Sequence, residues 1–376
     1  MGHPAKKLPH LLLKGSAYAQ GLTHGKKASE EIHHNLGVYF RRFQNETELT
    51  RNEVLERASK YLPVIKKTSP DYAEAMKGVA DGSGSNILEI TALNVRYELM
   101  YSQFAKIGVK PIPRTYGCTA FAAEPEMVEN GHVMMGQNWD WIPEVKGIFL
   151  KILNEDGPAI VCFTEAGVVG GKIGLNSEGL GLLINGLVSN QDDWSRLTKP
   201  FHVRCWEVLR SETLQQATSI LTRGERPCSA NFLLGQQNKQ EPGRIVDLEC
   251  APLTECEIHP ENGLIAHANH FLDPDRLGVK QILDDERLST LHRFERIQAL
   301  LGEKVGPSSR LTLGTAEKML RDHDGKPESV CRHANPAFPE DDRYETVVSV
   351  VMDLGEKKLW ATMGSPCENE YLAIKL

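Results

Sequence analysis

No apolar run in this chain approaches the roughly 18 residues that a membrane-spanning helix needs. Near the start, Leu11-Leu12-Leu13 follows a basic stretch but is too short for the core of a signal peptide. The eight cysteines, at positions 118, 162, 205, 228, 250, 256, 331 and 367, show no CxxC spacing. In a chain this long, that argues against a disulfide framework and for reduced thiols in a cytosolic protein. The formal net charge is −7, which gives no general attraction to nucleic acid or an anionic membrane, so neither is expected as a partner. The glycine-rich tract over residues 165–185 lacks a Gly-x-x-x-x-Gly-Lys-Ser/Thr pattern, so it reads as strands with tight turns rather than a phosphate loop. There is no internal repeat and no low-complexity segment. Ile374-Lys375-Leu376 approximates a peroxisomal Ser-Lys-Leu signal but lacks the small first residue. A cytoplasmic protein is expected, with peroxisomal import as the alternative.

What is present is ordinary for a soluble globular chain: 40% hydrophobic and 25% charged residues over 376 positions, enough for one large domain or two smaller ones. Residues 10–15 read as a strand. Apolar spacings of three and four predict a helix over Gly21–Phe43, in which His24 packs or caps. Further helices are expected at Arg51–Leu62, Pro70–Ser83 and Ile87–Phe104, and Lys106–Arg114 reads as an exposed linker. Beyond it, strands dominate, interrupted by helices at Pro200–Ser211, Thr213–Thr222, Arg287–Leu301 and Thr315–His323. The last strands are Glu345–Leu354, Lys358–Met363 and Tyr371–Lys375.

The informative stretch is Thr115–Asp140. Gly117-Cys118 opens a short apolar strand, Thr119–Ala123. Turn residues follow between Glu124-Pro125 and Asn130-Gly131, and His132–Gly136 returns as a second strand. This hairpin brings Asn138 and Asp140 back beside Cys118. A cysteine thiol is partly ionised near neutral pH and intrinsically nucleophilic. Placed after a glycine with no side chain in the way, it can attack the glycine carbonyl, giving a thioester that water resolves. The new chain would begin at Cys118 with a free α-amine, whose ordinary pKa of about 7.7–8.0 suits a general base for its own thiol. A carboxylate such as Asp140 would hold that amine.

The pairing of Gly117-Cys118-Thr119 with Gly136-Gln137-Asn138-Trp139-Asp140 resembles the acyl-coenzyme A:6-aminopenicillanic acid acyltransferase family of cysteine-type N-terminal-nucleophile hydrolases. The resemblance extends over most of the chain. It implies an α+β fold, a four-layer αββα sandwich with a helical N-terminal segment. It also implies a self-processing amidohydrolase or acyltransferase: residues 1–117 become a small subunit and 118–376 the catalytic large subunit, and the two remain associated. Carried over residue by residue, it makes Cys118 the nucleophile and Asp140 the partner of the α-amine. Asn269, in His267-Ala268-Asn269-His270, becomes an oxyanion donor.

Arg343 matches a family arginine that would pair with Asp140, tune the amine or bind a substrate carboxylate. It follows Asp342, where the penicillin enzymes have serine, so the substrate is not fixed by the match. Arg96, in Asn94-Val95-Arg96-Tyr97-Glu98, is a second substrate-binding candidate, or an ion-pair partner of Glu98. Arg332, in Cys331-Arg332-His333, is a weaker one. The expected substrates are a small N-acyl amine, N-acyl amino acid or acyl thioester, with water or an amine as acceptor and no cofactor. His267 and His270 lack a third ligand, so no metal is expected. Two alternatives stand beside this reading: an unprocessed binding protein of the same fold, and a conventional Cys-His thiol hydrolase using His267 or His270.

Overall fold

The computed structural model describes residues 8–106, 117–238, 242–282, 288–306 and 309–376. The expected linker therefore lies outside the described residues, except for Lys106. The first part of the chain holds β1 (Leu11–Lys14), α1 (Ala17–Lys27), α2 (Ser29–Thr47), α3 (Arg51–Thr68), α4 (Pro70–Ser83), α5 (Ile87–Asn94) and α6 (Arg96–Lys106). A run of strands follows: β2 (Gly117–Ala123), β3 (Met134–Trp141), β4 (Gly147–Leu153), β5 (Ile160–Glu165), β6 (Ile173–Asn176) and β7 (Leu180–Gly186). Then come α7 (Phe201–Leu209), α8 (Leu214–Thr222), β8 (Ala230–Gln236), β9 (Arg244–Cys250), β10 (Glu255–Ile258), β11 (Leu264–His267) and α9 (Pro274–Leu277). The last elements are α10 (Leu288–Lys304), α11 (Leu313–Leu320), β12 (Glu345–Asp353), β13 (Lys358–Met363) and β14 (Leu372–Lys375).

Two sheets form. One runs β1-β4-β5-β6-β7-β8-β9-β10 and the other β11-β2-β3-β12-β13-β14. They lie face to face, closely enough at Gly181 and Gly235 that a Cβ there would meet the sulfur of Met135 at 2.9 Å. Helices α7 and α8 cover the outer face of the larger sheet, and α10 and α11 cover that of the smaller one. This is the expected α+β, four-layer αββα sandwich.

Residues before the Gly117-Cys118 junction belong to this body rather than to an appendage. β1 pairs in parallel with β4, α1 packs along α4, and Asn35 donates to the carbonyls of Lys146 and Ala166. The α1–α4 approach requires glycine: a Cβ on Gly21 or Gly78 would run into the backbone carbonyl of Ala75 or Tyr18.

Two expected helices divide. The one predicted over Gly21–Phe43 breaks at Ala28, whose φ of −119° and ψ of 28° leave the helical region. The one over Ile87–Phe104 breaks at Val95. There the Asn94 side chain donates to the Ile90 and Gly167 carbonyls and accepts from Val169 N–H and the Tyr72 hydroxyl. These tertiary bonds override local helical continuity. Among the described residues, no helix is long and apolar enough to cross a membrane.

Candidate active site

β2 and β3 are antiparallel, with Gly117 opposite Asp140, Cys118 opposite Trp139 and Thr119 opposite Asn138. The two-residue period of a strand then sorts the side chains. Cys118, Ala120 and Ala122 join the apolar core between the sheets, whereas Phe121 and Ala123 join the core under α10 and α11. Gly117, Thr119, Asn138 and Asp140 share the second face. Asn138 donates at 2.8 Å to the carbonyls of both Leu320 and Val330, and Arg293 of α10 donates to the Thr119 hydroxyl at 2.9 Å. The thiol and the carboxylate thus lie on opposite faces of the hairpin, and the backbone nitrogen of Cys118 stands between them.

β11 pairs with β2, His267 opposite Ala120, so the residues following β11 run on beside Cys118. The Asn269 oxygen accepts from the Cys118 N–H at 2.6 Å and from Arg293 at 3.1 Å. With two donors on its oxygen, the amide orientation is settled by its partners. The Asn269 nitrogen donates to the Gly186 carbonyl at 3.1 Å, and a hydrogen bond from Asn269 also favours the Cys118 thiolate. The Cys118 carbonyl accepts from Arg293 at 2.8 Å and from Asn185 of β7 at 3.3 Å. Asn185 leads on to Asn231 and Asp247, a buried polar line beneath Cys118.

Burial pushes the Cys118 thiol up to about 12, and the Asp140 charge adds to that, against Arg293, Asn269 and Lys172. Burial also raises the Asp140 carboxyl; Arg293, Arg332 and a 2.7 Å bond from Thr346 pull the other way. One Asp140 oxygen is held by Thr346. The other, Oδ2, is buried with no hydrogen-bond partner among the described residues and faces Gly117. A Cβ at Gly117 would lie 2.6 Å from that oxygen and 3.0 Å from the Arg332 guanidinium. Gly117→Ala is therefore expected to displace the carboxylate and to slow the junction scission proposed below on the order of 10²-fold, the effect of an ångström-scale misplacement. A time course of fragment appearance checks this; an unchanged rate would mean that the contact does not matter.

Three expectations are corrected. Arg343 does not pair with Asp140: its guanidinium bonds to the carbonyls of Phe338 at 3.0 Å and Pro336 at 3.4 Å, within its own loop. The arginines acting on Asp140 are Arg293 and Arg332. Arg96 is not turned to a ligand, nor paired with Glu98. It is buried in a two-pronged bond to Glu165, which also takes Lys172 and the Tyr39 hydroxyl. Against its own desolvation, Glu165 is held well below the usual carboxylate range by these two cations. Lys172 stands 3.5 Å over the Trp139 ring, next to Cys118. The Cys-His alternative also loses its bases. His267 directs one nitrogen to the Ala268 carbonyl and the other to Glu249, and His270 faces Thr290. His24 packs as read, accepting from Gly167 N–H.

Arg293, Asn185, Lys172 and Thr346 were not singled out from the sequence. Asn185 carries a signal, as a polar residue closing the apolar strand Leu-Gly-Leu-Leu-Ile-Asn-Gly. Arg293 carries none; it sits in an amphipathic helix rich in charged residues.

Two face-packed sheets between helical layers, with this hairpin at the start of a strand, define the N-terminal-nucleophile hydrolase type of fold. The chain belongs to the acyl-coenzyme A:6-aminopenicillanic acid acyl-transferase family, whose model matches residues 127–368. It is an enzyme of the acyltransferase and amide-hydrolase class. Asp140, Asn269, Arg332 and Arg343 lie inside the matched segment; Gly117 and Cys118 precede it.

A relative from Emericella nidulans, an acyl-coenzyme A:6-aminopenicillanic-acid-acyltransferase 40 kDa form, is 27% identical over 365 residues, 95% of this chain and 93% of its own. An uncharacterized protein of Archaeoglobus fulgidus is 21% identical over 349 residues, covering 80% of this chain and 55% of that protein. Among solved structures, an N-acylethanolamine-hydrolyzing acid amidase ortholog of Caenorhabditis elegans has a TM-score of 0.45 at 15% identity, spanning 63% of this chain and 93% of that one. A conjugated bile acid hydrolase from Clostridium perfringens has a TM-score of 0.45 at 11% identity, spanning 69% of this chain and 97% of that one.

Proposed function

We propose that this enzyme cuts itself between Gly117 and Cys118 and then uses Cys118 as an N-terminal nucleophile. The observation that carries this reading is the unpartnered Asp140 oxygen facing Gly117, in a site where the buried thiol needs a base. The Cys118 sulfur attacks the Gly117 carbonyl carbon and gives its proton to water. Asp140, on the Gly117 side of the hairpin, delivers a proton to the departing nitrogen; the carbon–nitrogen bond breaks, the Gly117 acyl group rests on sulfur as a thioester, and Asp140 regains its proton from that water. Water hydrolyses the thioester, leaving the Gly117 carboxylate and a free Cys118 thiol beside its own α-amine. Asp140 and the Asn269 oxygen are placed to hold that amine, and the amine then serves the thiol as general base.

In turnover, Cys118 takes the acyl group of a small N-acyl amine, N-acyl amino acid or acyl thioester, and passes it to water or an amine. Asn269 is the assigned oxyanion donor. The substrate class rests on the family and on the named activity of the Emericella relative. Fragments 1–117 and 118–376 stay associated, because β1 is a strand of the larger sheet and Arg96, Tyr39, Asn35 and Asn94 bond across the cut.

Purified protein is expected as two fragments, the larger beginning at Cys118 and gaining the mass of one acyl group when mixed with an acyl thioester or N-acyl amine. Acylation at another residue would overturn the nucleophile assignment.

A further inference from the structure

Away from Cys118, four side chains from two connections of the chain converge. His323 follows α11, Cys331 and His333 lie in the connection from α11 to β12, and Cys367 lies between β13 and β14. One ligand atom from each lies within 4.8 Å of the other three. The His333 Nε2 atom is 3.1 Å from His323 Nε2, 3.4 Å from Cys367 Sγ and 3.8 Å from Cys331 Sγ. A neutral imidazole nitrogen has one lone pair or one proton, so it cannot satisfy three such neighbours by hydrogen bonding. A shared central ion can. Tetrahedral zinc, with Zn–N about 2.0–2.1 Å and Zn–S about 2.3 Å, sets N···N near about 3.3 Å and N···S near about 3.6 Å. The observed N···N separation falls slightly below its value, and the two N···S separations lie on either side of theirs.

We propose that His323, Cys331, His333 and Cys367 form a structural zinc site. Two histidines and two cysteines are a closed donor set for that ion, with no open position for substrate. The surrounding backbone is already tied. Arg321 donates to the Pro366 carbonyl at 2.8 Å, joining the turn of His323 to the loop of Cys367. Cys331 N–H donates to the Asp322 carbonyl at 2.9 Å. Glu368 lies 3.9 Å from the other nitrogen of His333, where an outer carboxylate steadies a ligating imidazole.

The earlier expectation of no metal considered only His267 and His270, which are engaged elsewhere. The four residues here are widely spaced in the chain and show no metal motif. Their placement also gives the ion a role. Two ligands flank Arg332, whose N–H donates to the Thr346 hydroxyl at 3.0 Å, and that hydroxyl in turn bonds Asp140. The ion fixes the segment from which Arg332 acts on the active-site carboxylate.

The test uses the full chain, expressed without a polyhistidine tag in zinc-containing medium. Elemental analysis is expected to find about one zinc per chain, and exchange with cobalt alone should give the visible bands of tetrahedral, thiolate-bound cobalt. His323→Ala with Cys367→Ala, both outside the core, should fold by circular dichroism and fall to below about a tenth of the wild-type zinc. Cobalt spectra of the Cys367→Ala single variant, with a weakened thiolate band, serve if the double variant does not fold. Zinc-free wild type that gives no tetrahedral cobalt spectrum would overturn the site. So would full zinc retention by the double variant, or a Cys331–Cys367 disulfide in place of metal. None of these readouts depends on scission at Gly117, so the site stands or falls separately from the self-cleavage.

Discussion

Cys118→Ala is expected to purify as one uncut chain, with acyl transfer and hydrolysis lowered by roughly 10⁴–10⁶-fold, the scale of loss when a nucleophile is removed. The substitution takes away only the sulfur. Alanine keeps the β2 backbone, the N–H bond to Asn269 and the carbonyl bonds from Arg293 and Asn185. Folding should be preserved, so a failure to cut reports chemistry. In the proposed mechanism both steps are lost together, because the same atom attacks Gly117 and later the substrate. Cys118→Ser separates degrees of the same effect: a hydroxyl is the poorer nucleophile, so this variant should cut slowly. Intact mass and a reaction progress curve on each variant check the prediction, and an active, uncut alanine variant would contradict it.

Asn269→Ala is expected to lower turnover by roughly 10²–10³-fold, the loss typical of one oxyanion donor. The structure adds a second consequence. The Asn269 oxygen accepts from both the Cys118 nitrogen and Arg293, so its removal also loosens the nitrogen proposed to become the general base. Asn269→Asp distinguishes the two contributions. It restores an acceptor for the nitrogen and for Arg293 but supplies no side-chain N–H to an oxyanion. The aspartate variant should therefore recover scission of the junction while turnover stays low. Recovery of both would assign Asn269 to holding the amine alone, and wild-type activity in the alanine variant would remove it from the site.

The hairpin was legible because its chemistry is local. Glycine, cysteine, turn and carboxylate lie within one short stretch, and strand alternation decides which atoms meet. Asn269 was legible only through the resemblance of His267-Ala268-Asn269-His270 to a family motif, since nothing in its own neighbours marks it. Arg293, Asn185 and Thr346 were not found because they reach the site through tertiary packing. Each comes from a different element and shows no spacing relation to Cys118. The same cause moved the arginine assignments. Arg96 and Arg343 sit in recognisable motifs, yet the first satisfies a buried glutamate and the second its own loop carbonyls. Guanidinium groups find whichever acceptors the packing offers, and sequence proximity does not say which.

Element boundaries followed a similar rule. Pro70–Ser83 matched α4, where proline starts the helix and Gly84, in the left-handed region, ends it. The longer helices broke at Ala28 and Val95, whose backbone angles leave the helical region while their amides still bond four residues back. The second strand of the hairpin runs Met134–Trp141, starting two residues later than read, with the polar residues Gln137, Asn138 and Asp140 buried against partners from neighbouring elements.

The central claim is self-cleavage that creates an N-terminal Cys118, and the intact mass of freshly purified wild type tests it most directly. The account predicts two associated species, residues 1–117 and 118–376, with the second beginning at Cys118. A single uncut chain that is nevertheless active on an N-acyl amine or acyl thioester would contradict it.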